Sequence, residues 1–113
     1  MTADDAVAIL EKAAEVHAAE RILIAGKATV TEAAARVFVS AKVKLIGNES
    51  QTVGPEDAPM QVHKTLFEKD IALLEGVVLT AVPEGRYFLS AAPLCMAGAD
   101  GAPCRAVLMQ EQL

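Results

Sequence analysis

Metal-assisted hydrolysis is the first chemistry to weigh in this chain, because its soft and imidazole ligands can be placed one by one. There are two histidines, His17 and His63, and two cysteines, Cys95 and Cys104. A zinc ion that activates water needs about three protein ligands with one position left open, drawn from His, Cys and carboxylates. His17 has Ala13 and Arg21 at the positions four residues away, so no second ligand shares its helical face. It falls near a helix end, where an imidazolium interacts favourably with the dipole. His63 opens a later helical segment and has its own use, either as a ligand or bonded to a nearby backbone group or carboxylate. Cys104 has no histidine near it in sequence to generate a thiolate. Ser40, Ser50 and Ser90 lack the Gly-x-Ser-x-Gly elbow of a hydrolase nucleophile. Gly98-x-x-Gly101 lacks the Lys-Ser/Thr pair and following helix of a phosphate loop, so it reads as a turn.

The composition narrows what these residues can serve. A chain of 113 residues supports one domain with a single modest core. Its hydrophobic content is 53% with only 4% aromatic, which gives a core of Ala, Val and Leu and no base-stacking surface. The net charge of −5 and the absence of any Lys/Arg run exclude nucleic acid as a partner. No apolar segment approaches the roughly 20 residues of a membrane span. The amino terminus, Met1-Thr2-Ala3-Asp4-Asp5, is acidic where a signal peptide is basic, so a cytoplasmic location is expected. In a reducing compartment Cys95 and Cys104 stay thiols, and both are expected to be buried as small apolar residues.

Stepping along the chain gives the elements that must hold these groups. Thr2 and Asp5 have capping-box spacing before a helix from about Ala3 to about Ala18, with Val7, Leu10 and Ala14 on its apolar side. Arg21 to Ala25, closed by Gly26, reads as a strand covered on both faces and central in a sheet. Thr29 or Thr31 caps a helix from Glu32 to about Ala41, whose stripe is Ala34, Val37, Phe38 and Ala41. Val43 to Ile46 is a second strand, completing a parallel βαβ unit. Asn48 to Gln61 reads as a surface loop, Val62 to Lys69 as a short helix, and Ile71 to Gly76 as another buried strand. Val77 to Gly85 leads into a hairpin of Tyr87–Met96 and Cys104–Met109, joined by a turn over Gly98–Pro103. This hairpin is expected to complete the sheet and to be the fixed edge against which the rest packs.

Three blocks, VTEAAARVFVSAKVKLIG, VHKTLFEKDIALLEG and GRYFLSAAPLCMAGADGAPCRAVLM, resemble in order the carboxyl-terminal half of the cyclase family of metal-dependent hydrolases, the family of the bacterial kynurenine formamidases. The resemblance runs from about Glu20 to Met109. It implies an α/β fold, a swivelling β/β/α-like single domain over residues 1–113 with a mixed sheet, usually dimeric. It also implies a metal centre that hydrolyses an amide such as that of N-formylkynurenine. The family's His-x-Gly-Thr-His-x-Asp-x-Pro-x-His string has no counterpart in this chain. A further family ligand, a Glu in a Thr-x-Glu-Ala-Ala pattern, aligns with Ala33; Glu32 lies one residue early, and one residue turns a helical side chain by about 100°. The segment that would carry another histidine has shrunk between Gly26 and the Thr29–Thr31 cap. The family's Asp-x-x-Ser-Val-Asp run becomes Glu49-Ser50-Gln51-Thr52-Val53-Gly54, while His63 matches a histidine often found at the start of the following helix.

These departures set the functional expectations. The chain reads as a non-catalytic remnant of a cyclase-family hydrolase, a small binding or interaction protein, with Glu49 and His63 as binding candidates and no catalytic or metal residues. The alternative is one subunit of a split amide hydrolase whose metal motif comes from a partner chain. An activity of another kind resting on Glu49, His63 or Cys95 has no substrate that the sequence names. No cofactor is expected for the isolated chain, and zinc or manganese enters only with ligands from a partner. A homo-oligomer, most simply a dimer, is expected because the chain's few charges leave apolar surface to cover.

Overall fold

The chain enters its first helix at Thr2, whose hydroxyl accepts from the Asp5 amide at 3.1 Å while the Asp5 carboxylate accepts from the Thr2 amide at 2.7 Å. This reciprocal pairing satisfies two donors that a helix start otherwise leaves bare. The computed structural model describes residues 1–110. In chain order it contains α1 (Ala3–Glu15), β1 (Arg21–Ile24), α2 (Glu32–Ser40), β2 (Leu45–Asn48), α3 (Met60–Phe67), β3 (Ala72–Leu74), β4 (Phe88–Pro93) and β5 (Cys104–Met109).

Two successive strand–helix–strand steps build the body. β1, β2 and β3 form a parallel sheet in sequence order, with Ile22, Ile46 and Leu73 in one cross-strand row and Ile24 opposite Asn48 in another. The side chains of Ile22, Ile24 and Ile46 join Ala6 of α1, Ala34, Ala35 and Phe38 of α2, and Val62 and Leu66 of α3 in one buried cluster. Small residues at positions 6, 34 and 35 let helix backbones approach closely, and Phe38 fills the centre. On the sheet's other face Gly47 sits where a Cβ would run into Leu23 Cδ2 and meet the Leu74 carbonyl oxygen at 3.2 Å, so the flanking strands close over a residue that must stay small.

Each helix hands over to the next strand through one residue in the left-handed region, His17, Lys42 and Asp70, with φ of 56°, 59° and 57°. The His17 and Ala18 amides bond back to the Ala14 and Ala13 carbonyls at 3.1 and 2.9 Å, closing the end of α1. α1 therefore stops at Glu15, short of Ala18. Its buried side is Ala6 with Ile9, Leu10 and Ala13, and Val7 is 42% exposed, so the apolar stripe lies about a quarter-turn from Val7–Leu10–Ala14. In α2 the residue expected at the end of the stripe, Ala41, is an exposed cap.

The α/β class and the βαβ unit are as expected, and parallel and antiparallel pairing are both present, distributed over two sheets. β1 is an edge strand, not the central one. The central strand is β2, whose apolar signal is interrupted by Gly47 and Asn48 and so is weaker in sequence. The hairpin does not complete the main sheet or anchor it. β4 and β5 pair only with each other, from Phe88 opposite Met109 to Pro93 opposite Cys104. β4 ends at Pro93, short of Met96: the Leu94 amide still donates to the Pro103 carbonyl at 3.0 Å, but Pro103 has no amide to return the bond. Cys95 is exposed and Cys104 half-buried, neither of them a core residue, since both sit on this outlying hairpin. Among the described residues no helix is long and apolar enough to cross a membrane.

Thr31 is the polar link between the amino terminus and α2. Its hydroxyl accepts from the Ala34 amide at 3.2 Å and donates to the Met1 carbonyl at 2.6 Å. Thr31→Ala removes both bonds and is expected to cost about 1–2 kcal/mol, measured as a lowered midpoint in urea with an unchanged slope.

Candidate functional site

In open α/β sheets ligands gather at the carboxyl ends of parallel strands, and here those ends bring Gly26, Asn48, Glu49 and Glu75 together around the loop that follows β2. The loop after β2 is tied from three sides. The Val30 amide donates to the Val53 carbonyl at 2.7 Å, the Gly76 amide to the Ser50 carbonyl at 2.9 Å, and the Val77 amide to the Asn48 carbonyl at 3.2 Å. Asn48 is fully buried, and its Nδ2 donates to the Ala28 and Thr52 carbonyls at 3.0 and 3.2 Å. Its Oδ1 is buried with no partner among the described residues. Leaving such an atom unpaired costs about 1–3 kcal/mol, so the two bonds from Nδ2 are what hold the side chain in place.

Glu49 spends both carboxylate oxygens on backbone. One accepts from the Leu79 amide at 2.6 Å and the other from the Gly26 amide at 2.5 Å. The two bonds, Leu79 first and Gly26 second, with the charge of Lys27 adding to them, hold its pKa below the ordinary glutamate value. The side chain thus fastens the turn after β1 and the connector after β3 to the end of β2.

His63 lies on α3, one-quarter exposed, and its Nε2 stands 3.0 Å from Glu75 Oε1 and 3.1 Å from Thr52 Oγ1. A carboxylate can only accept, so this pair places a ring proton on Nε2. The same Glu75 oxygen accepts from the Val53 amide at 3.0 Å. Thr52, His63 and Glu75 contain the three group types of a hydrolase triad, but not its wiring. A triad uses the two ring nitrogens separately, one toward the nucleophile and one toward the carboxylate, and here hydroxyl and carboxylate meet at the same nitrogen. Thr52 is therefore not activated through His63.

The other residues singled out in the sequence are elsewhere. His17 is at the carboxyl end of α1 and exposed. Glu32 pairs with Arg36 at 2.7 Å on the first turns of α2, beside exposed Ala33. Among the described residues no three of His, Cys, Asp and Glu converge on a point that could hold a metal ion. The donors present do not fit the metal centre that the cyclase resemblance implies. Sequence reasoning missed Asn48, Thr52 and Glu75. Glu75 had a legible signal, an acidic residue between an apolar strand and a Gly, which is the carboxyl end of a parallel strand.

No family model matches the chain. It is similar to relatives named kynurenine formamidase: 45% identical over 69 residues to that of Erythrobacter litoralis, 48% over 72 residues to that of Salinibacter ruber, and 44% over 73 residues to that of Bacillus cereus. These matches cover 60%, 63% and 63% of this chain and 32%, 34% and 35% of the relatives. The chain therefore spans about a third of the length of the kynurenine formamidases it matches. Among solved structures it superposes on a potential metal-dependent hydrolase with cyclase activity, at a TM-score of 0.66 and 29% identity, covering 86% of this chain and 62% of that one. A predicted metal-dependent hydrolase from Bacillus stearothermophilus gives a TM-score of 0.63 at 29% identity, covering 82% and 58%. The resemblance seen in the three sequence blocks is a relationship of both sequence and fold.

Two outcomes follow from the geometry. The depressed pKa of Glu49 means its contribution to stability is complete above the ordinary glutamate range and fades as pH falls through the lower folded value. The melting temperature of Glu49→Gln should therefore lie furthest below wild type at about pH 6 and converge on it as the pH falls below the ordinary glutamate range; a pH series of thermal melts checks this. Glu75→Ala should release the Val53 amide and His63 together, costing about 1–3 kcal/mol and raising hydrogen exchange at Val53 well above that in the core of α2.

Proposed function

We propose, from its kinship with the cyclase-family hydrolases, that this chain is an interaction protein on the carboxyl-terminal cyclase scaffold without hydrolase activity of its own. The observation that carries this is how the carboxylates at the strand ends are used. Both oxygens of Glu49 are taken by the Gly26 and Leu79 amides, and Oε1 of Glu75 is shared by the Val53 amide and His63. A carboxylate that ligates a metal or moves a proton must keep an oxygen aimed at the reacting centre, and both Glu49 oxygens are instead aimed at backbone. The Glu49 and His63 candidates then serve the scaffold, joining the loop after β2 to its surroundings and shaping a rigid surface there.

A second reading has its own support. Relatives about twice as long, and solved neighbours of which 38% or more has no counterpart in this chain, suit a split amide hydrolase in which a partner chain supplies the histidine motif. In that arrangement His63, with Nδ1 unpaired among the described residues, is the side chain that faces a rebuilt centre. Zinc or manganese would then bind only the assembled pair.

The test is metal analysis of the purified chain together with an N-formylkynurenine hydrolysis assay in added zinc or manganese. Well below one equivalent of metal and no turnover above the uncatalysed rate are expected, since a metal-bound hydroxide supplies most of such an enzyme's rate. One tightly held equivalent with chelator-sensitive turnover would overturn the proposal. Turnover appearing only on addition of a chain carrying a His-x-Gly-Thr-His motif would establish the split enzyme.

A further inference from the structure

The two turns that lead from α2 into β2 and from α3 into β3 lie side by side, because β2 and β3 are paired from Leu45 opposite Ala72 onward. Buried Val43 and Ile71 bolt them to the core, and the Ala72 amide donates to the Lys44 carbonyl at 3.0 Å to join one turn to the other. Charge is what they hold outward: Lys42 and Lys44 flank Val43, and Lys69 and Asp70 precede Ile71, all four exposed. With Val39 and Ser40 from the last turn of α2 they line a cleft of about 590 Å³. It lies at the amino ends of the strands, the opposite end of the sheet from Glu49 and His63. Its size is within the roughly 300–1,000 Å³ of small-molecule sites.

Lysines after a helix commonly serve its last carbonyls. Here backbone amides do that work. The Phe38 and Leu66 carbonyls accept from the Val43 and Ile71 amides, both at 3.2 Å, and the Val39 and Phe67 carbonyls from the Lys42 and Asp70 amides, both at 3.0 Å. Lys42 and Lys69 form no ion pair among the described residues, whereas Lys44 meets Glu20 at 3.2 Å, a carboxylate that also meets Arg21 at 3.3 Å. Setting Glu20 and Asp70 against Arg21, Lys42, Lys44 and Lys69 leaves an excess of two positive charges at this cleft, on a chain whose net charge is −5. Lys42 is also left-handed, with φ of 59°, a conformation that local structure alone would give to glycine.

We propose that this cleft binds a small organic anion, with its carboxylate or phosphate head met by the Lys42 and Lys69 ammonium groups and its apolar body laid over Val39 and the lysine stems. Each ammonium carries three donors on a flexible stem, so two of them can close on an oxyanion from separate turns without a preformed fork. Ser40 adds a hydroxyl donor at the lip. The apolar lining, from Val39 between the charges, distinguishes an organic anion from a bare inorganic one. This site is separate from the strand ends that bear on hydrolysis, and it stands whether or not the chain has activity of its own.

The test is an NMR titration of the isotope-labelled full chain with phenyl phosphate and with benzoate, using benzyl alcohol and inorganic phosphate to control for the charge and the apolar body. Saturable shifts of the Lys42, Val43, Lys69 and Ile71 amides are expected, with a Kd of about 1 mM or below for at least one of the two organic anions. The tighter of the two identifies the head group. Affinity should fall several-fold when the salt is raised to about 0.2 M, which screens exposed ammonium groups. Lys42→Gly separates binding from folding: glycine suits the left-handed turn, so the melting temperature should stay at or above wild type while affinity falls several-fold. Lys69→Gln should weaken binding likewise with its melting temperature near wild type. No saturable shift at those amides with either organic anion overturns the proposal, as does wild-type affinity in both variants. Benzyl alcohol binding as tightly as the anions, or inorganic phosphate binding as tightly as phenyl phosphate, which would mark an adventitious ion only, overturns it too.

Discussion

The structure depends on how the backbone at the carboxyl ends of three parallel strands is satisfied. Parallel strands end together, and the loops leaving them must find hydrogen-bond partners without the help of a helix or a ladder. In this protein side chains supply many of the partners, beside the backbone bonds from Val30, Gly76 and Val77. Asn48 reaches the Ala28 and Thr52 carbonyls, Glu49 the Gly26 and Leu79 amides, and Glu75 the Val53 amide. Four of these five bonds join segments twenty or more residues apart in sequence, and together they fix the loop between β2 and α3 as part of the body.

That constraint bears on function. Groups at this end of an α/β sheet are where binding and catalysis usually arise, and the same groups here are occupied in holding the scaffold. The kynurenine formamidases and cyclase-family structures to which the chain is similar show that the scaffold is shared. The convergence of three or more ligands that a metal centre needs is not met among the described residues.

Much of the body was legible in the sequence for local reasons. The Thr2–Asp5 box, the Thr31 cap, the β1–α2–β2 unit and the two hairpin strands depend on residues close in sequence, whose spacing carries the geometry. Burial was legible less well. Val7 and Ala6 are adjacent on α1, and which of them faces inward depends on how α1 seats on α2. Cys95 and Cys104 have core-like composition around them, yet they are on a hairpin outside the core.

The sequence by itself determined the element order, the α/β class and the two histidines' separation, because each follows from local pattern or from residue type and number, and its three blocks carried the resemblance to the cyclase family. The tertiary structure alone decided that β2, not β1, is central, that the hairpin forms a sheet of its own, and that Glu75 and Thr52 meet His63 at a single nitrogen. Strand order and side-chain convergence are set by long-range packing, where residues 52, 63 and 75 become neighbours only after two helices and three strands have docked. Spacing along a chain carries no record of that docking, so the part of the site that matters chemically was the part least visible in the residues.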